Sequence, residues 1–208
     1  MGDLLVRVRD LAPSVTTYVA DLHRKRVHRV LTVTFSVRPE QGEPSGFDLG
    51  DMAFVGDLGE SSSAGHSPDQ GMMIHLSVPL LLDSLTHMLD GRRTAVGFTG
   101  VDTSFSITFR RNTAGISVFA GPKVIARESR GELARAVLRA TEQYERSALS
   151  VVPTHEAARA DYTAAVNKFR TAIQALRQDP KPDRTRGAYL LITSQSVQNC
   201  RGASDQFN

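Results

Sequence analysis

Asp83, His87 and Asp90 recur at i, i+4 and i+7, which puts an imidazole and two carboxylates on one helical face. Such a set could hold a metal or supply a general base. The same positions lie opposite Leu81, Leu85 and Met88, where a surface helix carries solvated polar groups, and this plainer reading outweighs the chemical one. His75, between Ile74 and Leu76, reads as a strand residue; with Asp83 and His87 it could build a hydrolase or nuclease site only if the three converge in a cleft. Asp102-Thr103-Ser104 offers a hydroxyl, but no histidine is placed beside it by sequence, and a turn entering a strand accounts for it. The chain contains no glycine-rich phosphate loop, HExxH pair or GxSxG elbow. Cys200 is its single cysteine, which excludes an intramolecular disulfide framework and a cysteine-rich zinc site. The expectation is a protein without catalytic residues, metal or cofactor.

Charge gives two binding alternatives. His23-Arg24-Lys25-Arg26-Val27-His28-Arg29 is the densest basic run, and Arg24, Lys25, Arg26 and Arg29 could meet a phosphate backbone by releasing counterions. No aromatic residue interleaves them and the chain lacks tryptophan, so a stacking platform is unsupported. A solvated turn or protected strand edge needs no nucleic acid. The stronger lead is acidic. Seven of the 22 acidic residues lie within 40–70, where no lysine or arginine occurs, although the whole chain carries net charge +3. The spacing of Asp48, Asp51 and Asp57 does not match a calcium-binding EF-hand loop. An acidic loop presented by a rigid scaffold suits a basic protein partner. Glu43, Asp48, Asp51, Asp57 and Glu60 are the expected contacts, with Phe47, Met52 or Phe54 as a buried anchor.

The elements that must position these residues are clearest between 100 and 148. Phe105, Ile107 and Phe109 alternate with polar residues, and Asn112 to Gly115 supplies a turn before Ile116 and Val118 resume the alternation. Ala120-Gly121-Pro122-Lys123 makes a second turn, and Ser129-Arg130-Gly131-Glu132 fits a capping box opening a helix. Leu133, Val137, Ala140, Tyr144 and Ala148 then form one apolar stripe. Upstream, residues 27–37 and 72–78 read as strands, with a short strand at Met52 to Val55 and a mobile surface loop from Gly59 to Gly71. Pro79 suits the first turn of a helix that Asp90-Gly91 stops. Residues 155–178 repeat apolar positions at helical spacing until Pro180 and Pro182. Residues 3–25 fit helix or strand equally.

The pattern Gly-Val-Asp-x-Ser-Phe-x-Ile-x-Phe-Arg at 100–110, Gly115-Ile-x-Val and Glu132-Leu-x-x-Ala-Val resembles the small α+β immunity-type proteins encoded beside polymorphic toxins in actinobacteria. The resemblance spans about residues 28–148 and rests on strand and helix patterning. It implies a non-catalytic protein that binds and neutralises a toxin. Overall basicity departs from what an inhibitor of a nuclease would carry; only the 40–70 segment fits that picture.

The expected architecture is therefore α+β, with a mainly antiparallel sheet of five or six strands near 27–37, 72–78, 94–99, 104–110, 115–120 and 123–126. Helices at 79–90, 130–148 and 155–178 should cover one face, with Ile107, Phe109, Leu133 and Val137 in the core. Residues 1–150 would form the domain, 151–179 a helix packed on it, and 180–208 an added strand or poorly ordered extension. No apolar run approaches the length of a membrane span. The N-terminus has neither a basic start with a long apolar core nor a small-residue cleavage site, so a cytoplasmic protein is expected.

Overall fold

Alternating strand patterns and two strongly amphipathic helices build an α+β fold from two antiparallel four-stranded sheets rather than one sheet of five or six strands. The computed structural model describes residues 30–178. The basic run 23–29, the helix-or-strand segment 3–25 and the extension 180–208 lie outside the described residues.

The first sheet comprises β1 (Thr32–Val37), β2 (Leu49–Val55), β3 (Glu60–Ser62) and the two-residue β4 (Met72–Met73). Its central strand is β2, which pairs with β1, β3 and β4. The second sheet is a meander of β5 (Ala95–Thr99), β6 (Ser106–Asn112), β7 (Gly115–Ala120) and β8 (Lys123–Glu128). Period-2 alternation puts Val33, Phe35, Met52 and Phe54 inside from one sheet, and Val96, Phe98, Ile107 and Phe109 from the other. Phe54 meets Phe109 edge-to-face at 6.2 Å between ring centres, which locks the sheets together. Backbone bonds reinforce the junction, with the Leu58 N–H donating to the Ile125 carbonyl at 3.1 Å.

Of residues 72–78, expected as one strand, only Met72–Met73 form one. After Met72–Met73 the chain enters α1 (Ile74–Leu89), which runs through Pro79. Met72, Ile74, Leu76 and Val78 satisfy a strand pattern, but Ile74 and Val78 also extend the stripe of Leu81, Leu82, Leu85, Met88 and Leu89 backwards at helical spacing. The longer pattern wins: His75 and Ser77 are buried while Leu76 is half-exposed, the reverse of what a strand would give. Pro79 removes one backbone donor from the helix. Ser77 ties the start of α1 to the chain after β5, its hydroxyl donating to the Met73 carbonyl at 2.8 Å and accepting from the Val101 N–H at 2.9 Å. Gly91, at φ 79°, ends α1, its N–H donating to the Met88 carbonyl.

Helix α2 (Arg130–Ser147) starts on the expected capping box: the Glu132 N–H donates to Ser129 Oγ at 3.2 Å and the Ser129 N–H to Glu132 Oε2 at 3.4 Å. Leu133 and Val137 are core residues, as are Ile107 and Phe109. This helix packs across β1 and the ends of β7 and β8. After a 3-10 turn at Leu149–Val151, α3 (Ala157–Gln178) lies against α1 and buries Tyr162, Val166, Phe169 and Ile173. Among the described residues no helix is long and apolar enough to cross a membrane.

Candidate functional site

The loop from Arg38 to Asp48, between β1 and β2, is built as a rigid unit. Gln41 closes it: its side-chain amide donates to the carbonyls of Arg38 and Leu49 at 2.7 and 2.8 Å, and its oxygen accepts from the Leu49 N–H at 2.6 Å. At the far end Ser45 holds Asp48, with Ser45 Oγ donating to Asp48 Oδ1 at 2.9 Å. The Asp48 carbonyl accepts from the Ile74 N–H at 3.1 Å, so the loop is fastened to the start of α1. Gly46 is buried against Ala158 and Glu156 of the α3 entry, where a Cβ would be tightly crowded. Phe47, beside Asp48, is 65% exposed.

Arg38 fixes the second acidic loop. Its Nε and Nη2 donate to Asp51 at 2.8 and 2.9 Å, and its Nη1 and Nη2 donate to Asp69, both at 2.8 Å. These bonds hold the Asp69 and Asp51 carboxyls below the usual carboxylate range, and the Arg38 guanidinium above its ordinary value. Gly71 lies so close to the guanidinium that a side chain there would displace Arg38 from its two carboxylates. Asp51 also accepts from Ser63 Oγ at 2.7 Å, and that hydroxyl accepts from the Met52 N–H at 3.0 Å. The stretch from Gly59 to Gly71, expected as a mobile loop, thus contains β3 and is tied to β2 at both ends.

The acidic segment is not one patch. Glu40, Glu43 and Asp48 lie at the start of β2, and Asp57 and Glu60 beyond its end. The seven residues of β2 separate them by about 20 Å. Asp69 returns to the first end through Arg38. Glu43, Asp57 and Glu60 are exposed, whereas Asp48 and Asp51 are largely covered, with side chains 10% and 15% exposed. Phe54 and Met52 are wholly buried, so neither is available as a partner's anchor; Phe47 is the accessible aromatic of this segment.

Behind Asp48 lies a buried polar chain. His75 is fully enclosed, its Nδ1 2.8 Å from the Tyr144 hydroxyl and its Nε2 3.8 Å from Asp48 Oδ2. This geometry suits the tautomer in which Tyr144 donates to Nδ1 and the Nε2–H faces the carboxylate. At 3.8 Å that contact is too long for a hydrogen bond, and Nε2 has no hydrogen-bond partner. Burial pushes the His75 imidazole below its ordinary value against the opposing pull of Asp48, so the ring is neutral near pH 7. Burial likewise pushes the Tyr144 and Tyr162 phenols up. Tyr144 also packs edge-on to Phe35 of β1, 6.1 Å between ring centres.

In front of Asp48 a groove of about 540 Å³ opens between β1, the 38–48 loop and the C-terminal end of α2. Phe35, Val37, Ala148 and Val151 give it apolar surface; Glu40 and Asp48 give it negative charge.

The histidine–carboxylate set expected of a hydrolase does not assemble. His75 sits at the start of α1, with Asp83 and His87 two and three turns further along. Asp83 pairs with Lys168 of α3 at 2.7 Å. No group of three histidine, cysteine or acidic side chains among the described residues is arranged to hold a metal. Arg24, Lys25, Arg26 and Arg29, the nucleic-acid alternative, lie outside the described residues. Tyr144 and Arg38 were missed as site residues by sequence reasoning: one is disguised as a member of an apolar stripe, and the other stands two positions before the acidic segment. Comparison with protein-family models, curated proteins and solved structures found no match.

Proposed function

We propose that this chain is a non-catalytic binding protein of the immunity type, acting in the cytoplasm as an inhibitor of a basic protein partner. The observation that carries this reading is the 38–48 loop: Glu40, Glu43 and the exposed Phe47 ride on a backbone pinned by Gln41, Ser45 and the start of α1. A preordered loop loses little conformational freedom on binding, and an accessible aromatic carried on the same loop as two exposed glutamates combines an anchor with electrostatic steering. Asp57 and Glu60, at the other end of β2, act on the approach of the partner more than on the docked contact. The test is capture of a protein from the native host on the tagged chain, followed by titration of that protein with Phe47→Ser, with Glu40→Gln/Glu43→Gln, and with Asp57→Asn. Phe47→Ser should weaken affinity tenfold or more, on the order of a single aromatic hot spot. The glutamine pair should slow association, most at low salt. Unchanged affinity in both would remove the loop from the interface, and turnover of a substrate with no captured protein would overturn the binding-protein reading itself.

A further inference from the structure

We propose that the groove between β1 and the end of α2 receives one lysine or arginine side chain of the partner, with Asp48 as its counter-charge. The inference rests on the binding-protein reading and names the chemistry that reading leaves open. Val37, Ala148 and Val151 offer apolar surface for the methylene stem of a long cationic residue, while Glu40 and Asp48 supply the charge for its head. Arg38 also lines the groove, but its Nε, Nη1 and Nη2 are committed to Asp51 and Asp69, so it does not neutralise Asp48.

A second feature points the same way. His75 is wholly buried, and its unpartnered Nε2 faces the very carboxylate that lines the groove. A neutral imidazole leaves the charge of Asp48 uncompensated, and Ser45 orients the carboxylate, its Oγ donating to Oδ1 at 2.9 Å and its backbone N–H shared between Oδ1 and Oδ2 at 3.2 Å, so that Oδ2 receives only part of one donor. The carboxylate is thus oriented but retains acceptor capacity, as a receptor for a cation requires. Anionic ligands, nucleic acid among them, meet like charge at both Glu40 and Asp48.

The probe is the capped peptide Gly-Ser-Lys-Ser-Gly, titrated into the isotopically labelled full chain and followed by backbone amide NMR shifts. Saturable shifts confined to the 35–48 and 143–151 stretches are expected, together with their loss when the lysine is acetylated. Asp48→Asn, which keeps an acceptor for Ser45, should weaken binding about tenfold or more, the scale of one charge-assisted hydrogen bond. Val151→Lys places a cation at the mouth of the groove on a residue 62% exposed, so it should abolish binding without disturbing the fold. Equal binding of the acetylated peptide, unchanged affinity in Asp48→Asn, or no saturable shift at millimolar peptide would overturn the proposal. A captured partner that is sensitive to Phe47→Ser while the peptide fails to bind removes the groove alone. Specific peptide binding with no captured partner supports the groove and counts against the inhibitor reading.

Discussion

Tyr144→Phe isolates the polar chain at the scale of one hydroxyl. The substitution keeps the ring against Phe35 and removes the bond to His75 Nδ1, leaving a buried acceptor unsatisfied. A stability loss of about 1–3 kcal/mol is expected, read from the urea midpoint at an unchanged slope. His75 itself gives a pH signature. Its folded pKa is depressed, so below the ordinary histidine value of about 6.5 the unfolded chain binds the proton that the folded one refuses. Stability should therefore fall as pH drops through that value. His75→Gln should flatten the fall, and an equal slope in that variant would show that His75 is not its source. The raised Tyr144 and Tyr162 phenols predict the opposite flank: above about pH 10 the unfolded chain ionises first, and stability declines again.

At the scale of elements, Arg38 is the fastening of the 63–71 loop, and its planar fork is what lets one side chain serve two carboxylates. Arg38→Lys keeps the charge but cannot reproduce that geometry. Amide hydrogen exchange across 64–71 should accelerate while β6 and β7 remain unchanged; unaltered exchange in the loop would mean that the clip does not hold it. Much of the element level was legible in the sequence. The alternation of Ile107 and Phe109, the Ser129–Glu132 box and the Gly91 stop are local signals, and each is decided by neighbours within a few residues. Residues 74–78 read as a strand because Ile74 and Val78 fit both periods until the stripe beyond Pro79 is counted with them. The division into two sheets was not legible, because alternation shows which side of a strand is buried but not which strand lies beside it. The site was hidden for the same reason. Asp48 looks like its acidic neighbours until Ser45, Ile74 and His75 are brought to it.

For the whole molecule, the Phe54–Phe109 contact joins the two sheets within one hydrophobic core, which predicts a single unfolding transition. Phe109→Ala should cost about 3–5 kcal/mol, with tyrosine fluorescence and far-UV circular dichroism still melting together. Transitions that separate would show sheets of independent stability. The charge layout also belongs to this scale. Carboxylates at both ends of β2 spread negative charge over a front about 20 Å long, which on the proposed reading steers a basic partner toward the 38–48 loop.

The Arg38 clip has a practical consequence as well. Ser63 and Asp69 are both fastened at Asp51 and Arg38, so the exposed residues between them begin and end at nearly the same place. Chain inserted between Gly65 and His66 would enter a circuit that is already closed. Lengthening such a circuit adds only about 0.6 kcal/mol of closure entropy per doubling. A small reporter domain should therefore ride there with the fold intact.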